Sequence, residues 1–112
     1  MTTITDEFMN QMLATSKAYC IVILNAGPNV SMEGADKLIW EHGRRNFSLQ
    51  EDGLLSIVCP VPDSNSLQGI AIFNADMDKV SEIMDDDPAV KEGIFTYEIH
   101  NARSFPGDCL PH

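Results

Sequence analysis

Few residues in this chain combine the type and the spacing that chemistry needs, and His42 stands first among them. It falls on the apolar side of a helical stretch, with Ala35, Leu38, Ile39, Asn46 and Leu49, where a Leu or Ala would pack without polar cost. An imidazole titrates near neutral pH, so it can act as acid and as base at one site. Arg45 lies one turn further along nearly the same face, which lets a cation and an imidazole share one pocket. The structural alternatives are a core histidine satisfied by a backbone carbonyl and a flank arginine with a buried stem and a solvated head. Asp85, Asp86 and Asp87 run into Pro88. Three acids before a proline make a solvated turn, but Asp87 is also placed to cap a short helical turn that opens with Pro88. Capping and catalysis are both open to it. Tyr97 and His100 either line the same interior or serve as a sheet-packing tyrosine and a rim histidine.

Other chemistries lack their residues. No nucleophile elbow, phosphate loop or dinucleotide fingerprint occurs, so no cofactor is expected. Cys20, Cys59 and Cys109 form no C-x-x-C pair, and His42, His100 and His112 have no paired-ligand spacing, which argues against a metal site. An odd cysteine count fits a reducing compartment and predicts a cytoplasmic protein, with Cys20 and Cys59 packing as small hydrophobes in strands. Seventeen acidic residues against seven basic give a net charge of -10, which repels nucleic acid and anionic membrane surfaces. No run approaches the roughly 20 apolar residues of a membrane span. The opening MTTITDEFMNQ has no basic region of the kind that starts a targeting signal.

The elements that must hold these residues follow from periodicity. The 112 residues suffice for one core. Thr5 is placed to cap a short amphipathic helix carrying Phe8, Met9, Met12 and Leu13 on one side. Tyr19–Asn25 (YCIVILN) reads as a strand, about Ser31–Gln50 as a helix ended by Gly53, and Leu54–Cys59 and Gly69–Ala75 as a hairpin. Asp76 opens a helix with Met77, Val80, Ile83 and Met84 inward, and Ile94–His100 is the last strand. The long helix has a second stripe, Trp40 and Phe47, which needs a second neighbour: the N-terminal helix or a partner subunit. The order β-α-β-β-α-β predicts an α+β, ferredoxin-like fold with two helices on one sheet face. The strands carry apolar residues on both alternating sets, Tyr19, Ile21 and Ile23 against Cys20, Val22 and Leu24, and Leu55, Ile57 and Cys59 against Leu54 and Val58. Two helices cover only one set, so the other predicts a homodimer through the sheet face.

The runs YCIVILNAGPN, WEHGRRNF, EDGLLSIVCPVPD and DDDPAVKEGIF together closely resemble the YciI-like (YCII-related) family, over about Tyr19 to Phe105. The family pattern of H-x-x-R on a helix, Gly before the second strand, a small residue plus Pro at its end and Asp-Pro after the second helix is met by His42 with Arg45, Gly53, Cys59 with Pro60, and Asp87 with Pro88. Cys59 stands where Gly is more usual. The resemblance implies a dimeric α/β barrel with His42 and Asp87 as its catalytic pair, and Pro60 beside the ligand. It divides the chain into an N-terminal helical extension (1–18), the YciI-like domain (19–105) and a tail (106–112).

The expected function is a cofactor-independent enzyme on a small cyclic or aromatic molecule, working by proton transfer, isomerisation or elimination. His42 would be the acid or base, Asp87 its orienting partner, Arg45 a binder of carboxylate or phenolate, and Tyr97 a further wall of the site. The alternative is a non-catalytic dimeric module that binds a metabolite or a protein. Whether His42 opens into a cavity of ligand size discriminates the two.

Overall fold

The computed structural model describes residues 1–105 and Asp108. Cys109 and His112, and with them most of the expected tail, lie outside the described residues. The Phe8 N–H donates to Thr5 Oγ1 at 3.2 Å and so begins α1 (Asp6–Ala14). After two residues comes β1 (Lys17–Ala26), longer at both ends than its apolar run. Pairing sets that length, because β4 (Phe95–Ser104) lies antiparallel along all of it, from Lys17↔Ser104 to Ala26↔Phe95.

The long helix, α2 (Ala35–Glu51), starts four residues later than expected. The preceding backbone is spent on turns, Val30 N–H to Gly27 O and Met32 N–H to Asn29 O, and Gly34 sits at φ 83°, outside the helical region. At the far end Gly53, at φ 77°, terminates it as the sequence predicts. The hairpin is β2 (Leu55–Pro60) with β3 (Leu67–Phe73). Asp76 Oδ1 accepts from the Lys79 N–H at 2.8 Å to cap α3 (Met77–Asp85), and Asp87 caps the single turn α4 (Pro88–Lys91). The sheet order is β2-β3-β1-β4, antiparallel throughout, the ferredoxin-like α+β arrangement.

Helices α2, α3 and α4 pack on one face of the sheet. Cys20, Val22 and Leu24 of β1, Phe73 of β3 and Phe95 of β4 meet Leu49, Val80, Ile83 and Met84 in a single core. On the opposite face Ile21, Ile23 and Ile72 are half-buried and Ile70 is exposed. Leu55 belongs to the helix-side core rather than to the set of Ile57 and Cys59, because a bulge between Leu55 and Ile57 shifts the alternation by one. Cys59 is likewise not packed. It is exposed, in register with Ile70. The second stripe of α2 also has no cover, with Trp40 70% and Phe47 67% exposed, and α1 of the same chain buries no residue anywhere. Among the described residues no helix is long and apolar enough to cross a membrane.

One close approach ties the two halves of the helical layer together. Gly27 donates its N–H to Ile94 O at 2.8 Å, Asn29 donates its backbone N–H to Gly93 O at 3.0 Å and its Nδ2 to Glu92 O at 2.8 Å. A Cβ on Gly27 would come within 2.2 Å of the Gly93 carbonyl oxygen, whereas one on Gly43, inside α2, meets nothing within 4 Å. Gly27→Ala is therefore expected to destabilise the fold by about 1–3 kcal/mol through overpacking, and Gly43→Ala to stabilise it by up to about 1 kcal/mol through helix propensity. Denaturant midpoints of the two variants check the opposite signs.

Candidate active site

The Gly27–Asn29 clamp fixes the turn that carries Asp87 against the loop that leads into α2. It thereby sets Asp87 opposite His42, 45 residues earlier in the chain. Asp87 is fully buried, and its two carboxylate oxygens divide their work. Oδ2 accepts from the N–H groups of Ala89 at 3.0 Å and Val90 at 3.2 Å, which caps α4. Oδ1 lies 2.8 Å from His42 Nδ1 and 3.7 Å from the Arg45 guanidinium. An ionised carboxylate can only accept, so Nδ1 carries the proton and donates it. The lone pair of the neutral imidazole is then on Nε2. Asn46, one turn on, donates from Nδ2 to Nε2 across 3.3 Å, and the Phe95 ring meets the imidazole edge-on at 5.1 Å. Packing and hydrogen bonds therefore fix both the ring and its tautomer.

His42 opens into a cavity of about 380 Å³ between α2 and the helix-side face of the sheet. Ile39, Phe73, Met84 and Phe95 form apolar wall, the β2–β3 end contributes Pro60, Pro62 and Gln68, and Asn46 adds an amide. Among the described residues no Asp, Glu, Lys or Arg lines it. That volume is at the small end of ligand cavities, with the Asn46 amide beside the imidazole and Gln68 at the β2–β3 end.

Of the residues singled out from sequence, the structure brings together His42, Asp87 and Pro60. Arg45 does not line the cavity. Its guanidinium is turned to Asp87 and, at 3.9 Å, to Asp86, on the far side of the imidazole. The i,i+3 step rotates Arg45 about 60° from His42, enough to carry a long side chain off the face they were expected to share. Lys91, 2.8 Å from Asp86, holds that carboxyl below its usual range. Tyr97 is also outside the cavity: its hydroxyl donates to Asp85, where β4 runs under α3. His100 pairs with Glu98 on the exposed surface. Asn46, Gln68 and Phe95 are the lining residues that sequence reasoning left without a role. The i,i+4 spacing of His42 and Asn46 was a usable signal for the first, while the other two come from strands whose register no local pattern reports.

The model of the YCII-related domain family matches residues 18–103. No functionally curated protein matches the chain. Among solved structures, 5-chloro-2-hydroxyhydroquinone dehydrochlorinase (TftG) from Burkholderia phenoliruptrix AC1100, in complex with 2,5-dihydroxybenzoquinone, is similar with a TM-score of 0.53. The two are 14% identical, with 73% of this chain and 90% of that chain covered, so the likeness is one of fold.

Asp87→Ala removes a cap worth about 0.5–2 kcal/mol and strands the buried Nδ1–H for about 1–3 kcal/mol more. Asp87→Asn keeps an oxygen for the cap but cannot accept equally on both sides, so its loss in urea denaturation should be the smaller of the two. A second expectation concerns alkali. Burial first, then the Asp85 carboxylate, push the Tyr97 phenol above its ordinary value. A raised folded pKa gives a contribution fully present below the unfolded value, near 10, and lost as pH rises through the folded one. Tyr97→Phe should therefore flatten the fall in urea midpoint above pH 10, measured against wild type.

Proposed function

The chain belongs to the YCII-related domain family, and on that premise we propose that it is an enzyme that moves a proton on a small, uncharged organic molecule without a cofactor. The observation that carries this reading is the His42 Nε2 lone pair at the wall of a ligand-sized cavity, with Nδ1–H held by a buried carboxylate. In the reaction Nε2 takes a proton from a weakly acidic C–H or O–H of the substrate. Asp87 holds the tautomer and stabilises the imidazolium that forms, without itself becoming protonated. The proton then returns to a different atom, which is isomerisation, or a leaving group departs with the electron pair, which is elimination. Arg45, off the cavity and near Asp87, keeps that carboxylate in place and does not bind substrate. As substrate enters, the Asn46 amide gives up its hydrogen bond to Nε2, freeing that lone pair, and donates to the substrate oxygen on which charge develops.

A wall free of permanent charge suits a neutral ring better than a carboxylic acid. The Burkholderia relative, whose described ligand is a dihydroxybenzoquinone, supports an oxygenated six-membered ring, which is uncharged as a cyclic enol or hydroquinone. Solvent deuterium exchange into a panel of neutral cyclic enols and hydroquinones, followed by NMR, tests the reading. Wild type should exchange at least one, and His42→Ala should lose about 10²-fold or more of that rate. Ligands that bind wild type and His42→Ala alike without exchange would replace the enzyme by a binding module.

The protein also works as a dimer in this reading, through the face of the sheet that carries Ile21, Ile23, Ile70 and Ile72. Two such faces stacked about 10 Å apart make a shared barrel-like interior. The extension of residues 1–18 stands ahead of the domain of residues 19–105, in line with a family match that begins at residue 18. The interface should bury more than about 1,200 Å², and Ile72→Asp should abolish it. A folded wild-type monomer in sedimentation at micromolar concentration would overturn the dimer.

A further inference from the structure

Two apolar surfaces lack partners among the described residues, and they complement each other. Phe8, Met9 and Leu13 of α1, and Ile4 just before its cap, are each between 47 and 55% exposed, and no residue of the helix is buried. On α2, Trp40 and Phe47 project from the side opposite Ala35 and Leu49, away from the sheet. We propose that α1 is an arm that docks on the Trp40–Phe47 face of α2 in a second copy of this chain.

Charge fits the pair. The first turn of α1 carries Asp6 and Glu7, and its last turn has no basic residue. Beside the Trp40–Phe47 line lie Lys37 and Arg44, the latter 67% exposed although it pairs with Glu41 at 3.2 Å. Asp36 sits one turn before Trp40 and Glu51 one turn beyond Phe47, so the two cations stand between acids at the ends of the stripe. The acidic start of α1 therefore belongs over Lys37 and Arg44.

Reach excludes the arm's own α2. Only Thr15 and Ser16 separate α1 from β1, and both are tied down: Thr15 Oγ1 donates to Met12 O at 3.1 Å, and Arg103 donates from Nε to Ser16 Oγ at 2.8 Å and from its terminal nitrogen to Ser16 O at 3.1 Å. Two residues span at most about 7 Å. With helices about 10 Å thick, a helix lying outside α2 has its axis about 20 Å from the sheet in which β1 begins. A copy stacked on the open sheet face is no nearer. Its α2 outer row is about 30 Å away, one sheet spacing and two helix layers, while nine residues of α1 extend about 14 Å. The acceptor is a further copy, so arm contacts link sheet pairs into a larger assembly. The arm contact itself does not depend on the sheet pairing.

Trp40 is the only tryptophan in the chain, so its emission reports the contact directly. At high micromolar concentration wild-type emission should be blue-shifted from that of an exposed indole and should move red on dilution. In Phe8→Ser/Leu13→Ser it should be that of an exposed indole, and the sedimenting mass should fall at least twofold. Trp40→Ser/Phe47→Ser should show the same drop in mass. Mixing the two double variants should restore the blue shift, because the only Trp40 in the mixture then receives the arm of the other copy. All four substituted residues are exposed, and far-UV circular dichroism checks that both variants stay folded. An exposed-indole spectrum in wild type at every concentration, unchanged mass in either variant, or no recovery on mixing would overturn the proposal.

Discussion

The buried carboxylate of Asp87 is the interaction on which the candidate site depends. A carboxylate taken wholly out of water is costly unless its lone pairs are met, and here the backbone of α4, the imidazole of His42 and the guanidinium of Arg45 surround it. The cap and the imidazole share one group, so neither can shift without the other. A shift of α4 moves Oδ1 from Nδ1, and a rotation of His42 strands a buried acceptor. Rigidity at the imidazole is thus inherited from a backbone feature, the N-terminus of a single helical turn.

That turn is held in place by backbone contact. Gly27 and Gly93 pass so close that hydrogen bonds from the loop before α2 reach the carbonyls that end α4. The clamp lets α2 stand off the sheet along its middle. Its ends, Ala35 and Leu49, are buried, while Leu38, Ile39 and Asn46 between them are only half-buried. The gap left beneath that middle is the cavity into which His42 faces. A helix packed flat along its length would have closed it.

The two faces of the sheet divide the remaining roles. The helix side holds the core and the cavity, while the other side carries isoleucines that no helix or strand among the described residues covers. With α1 and the outer face of α2, that makes three apolar surfaces left uncovered among the described residues. In a chain of 112 residues with net charge -10, these patches concentrate apolar area on an otherwise charged exterior.

Local chemistry decided much of this in advance. Thr5, Asp76 and Asp87 cap helices because a short oxygen-bearing side chain before a helix meets its free N–H groups, and Gly53 ends α2 because glycine accepts a left-handed conformation. The two-sided apolar strands and the inward place of His42 are legible for the same reason: side-chain direction follows backbone period. Three things depended on tertiary structure. Strand pairing lengthened β1 and β4, a bulge moved Leu55 to the core, and the backbone clamp brought Asp87 to His42 across 45 residues. Arg45 shows the limit most clearly, since a position on a helix constrains the Cβ but not the end of a long side chain. A carboxylate already buried beside it, supplied by a distant segment, drew the guanidinium away from the cavity.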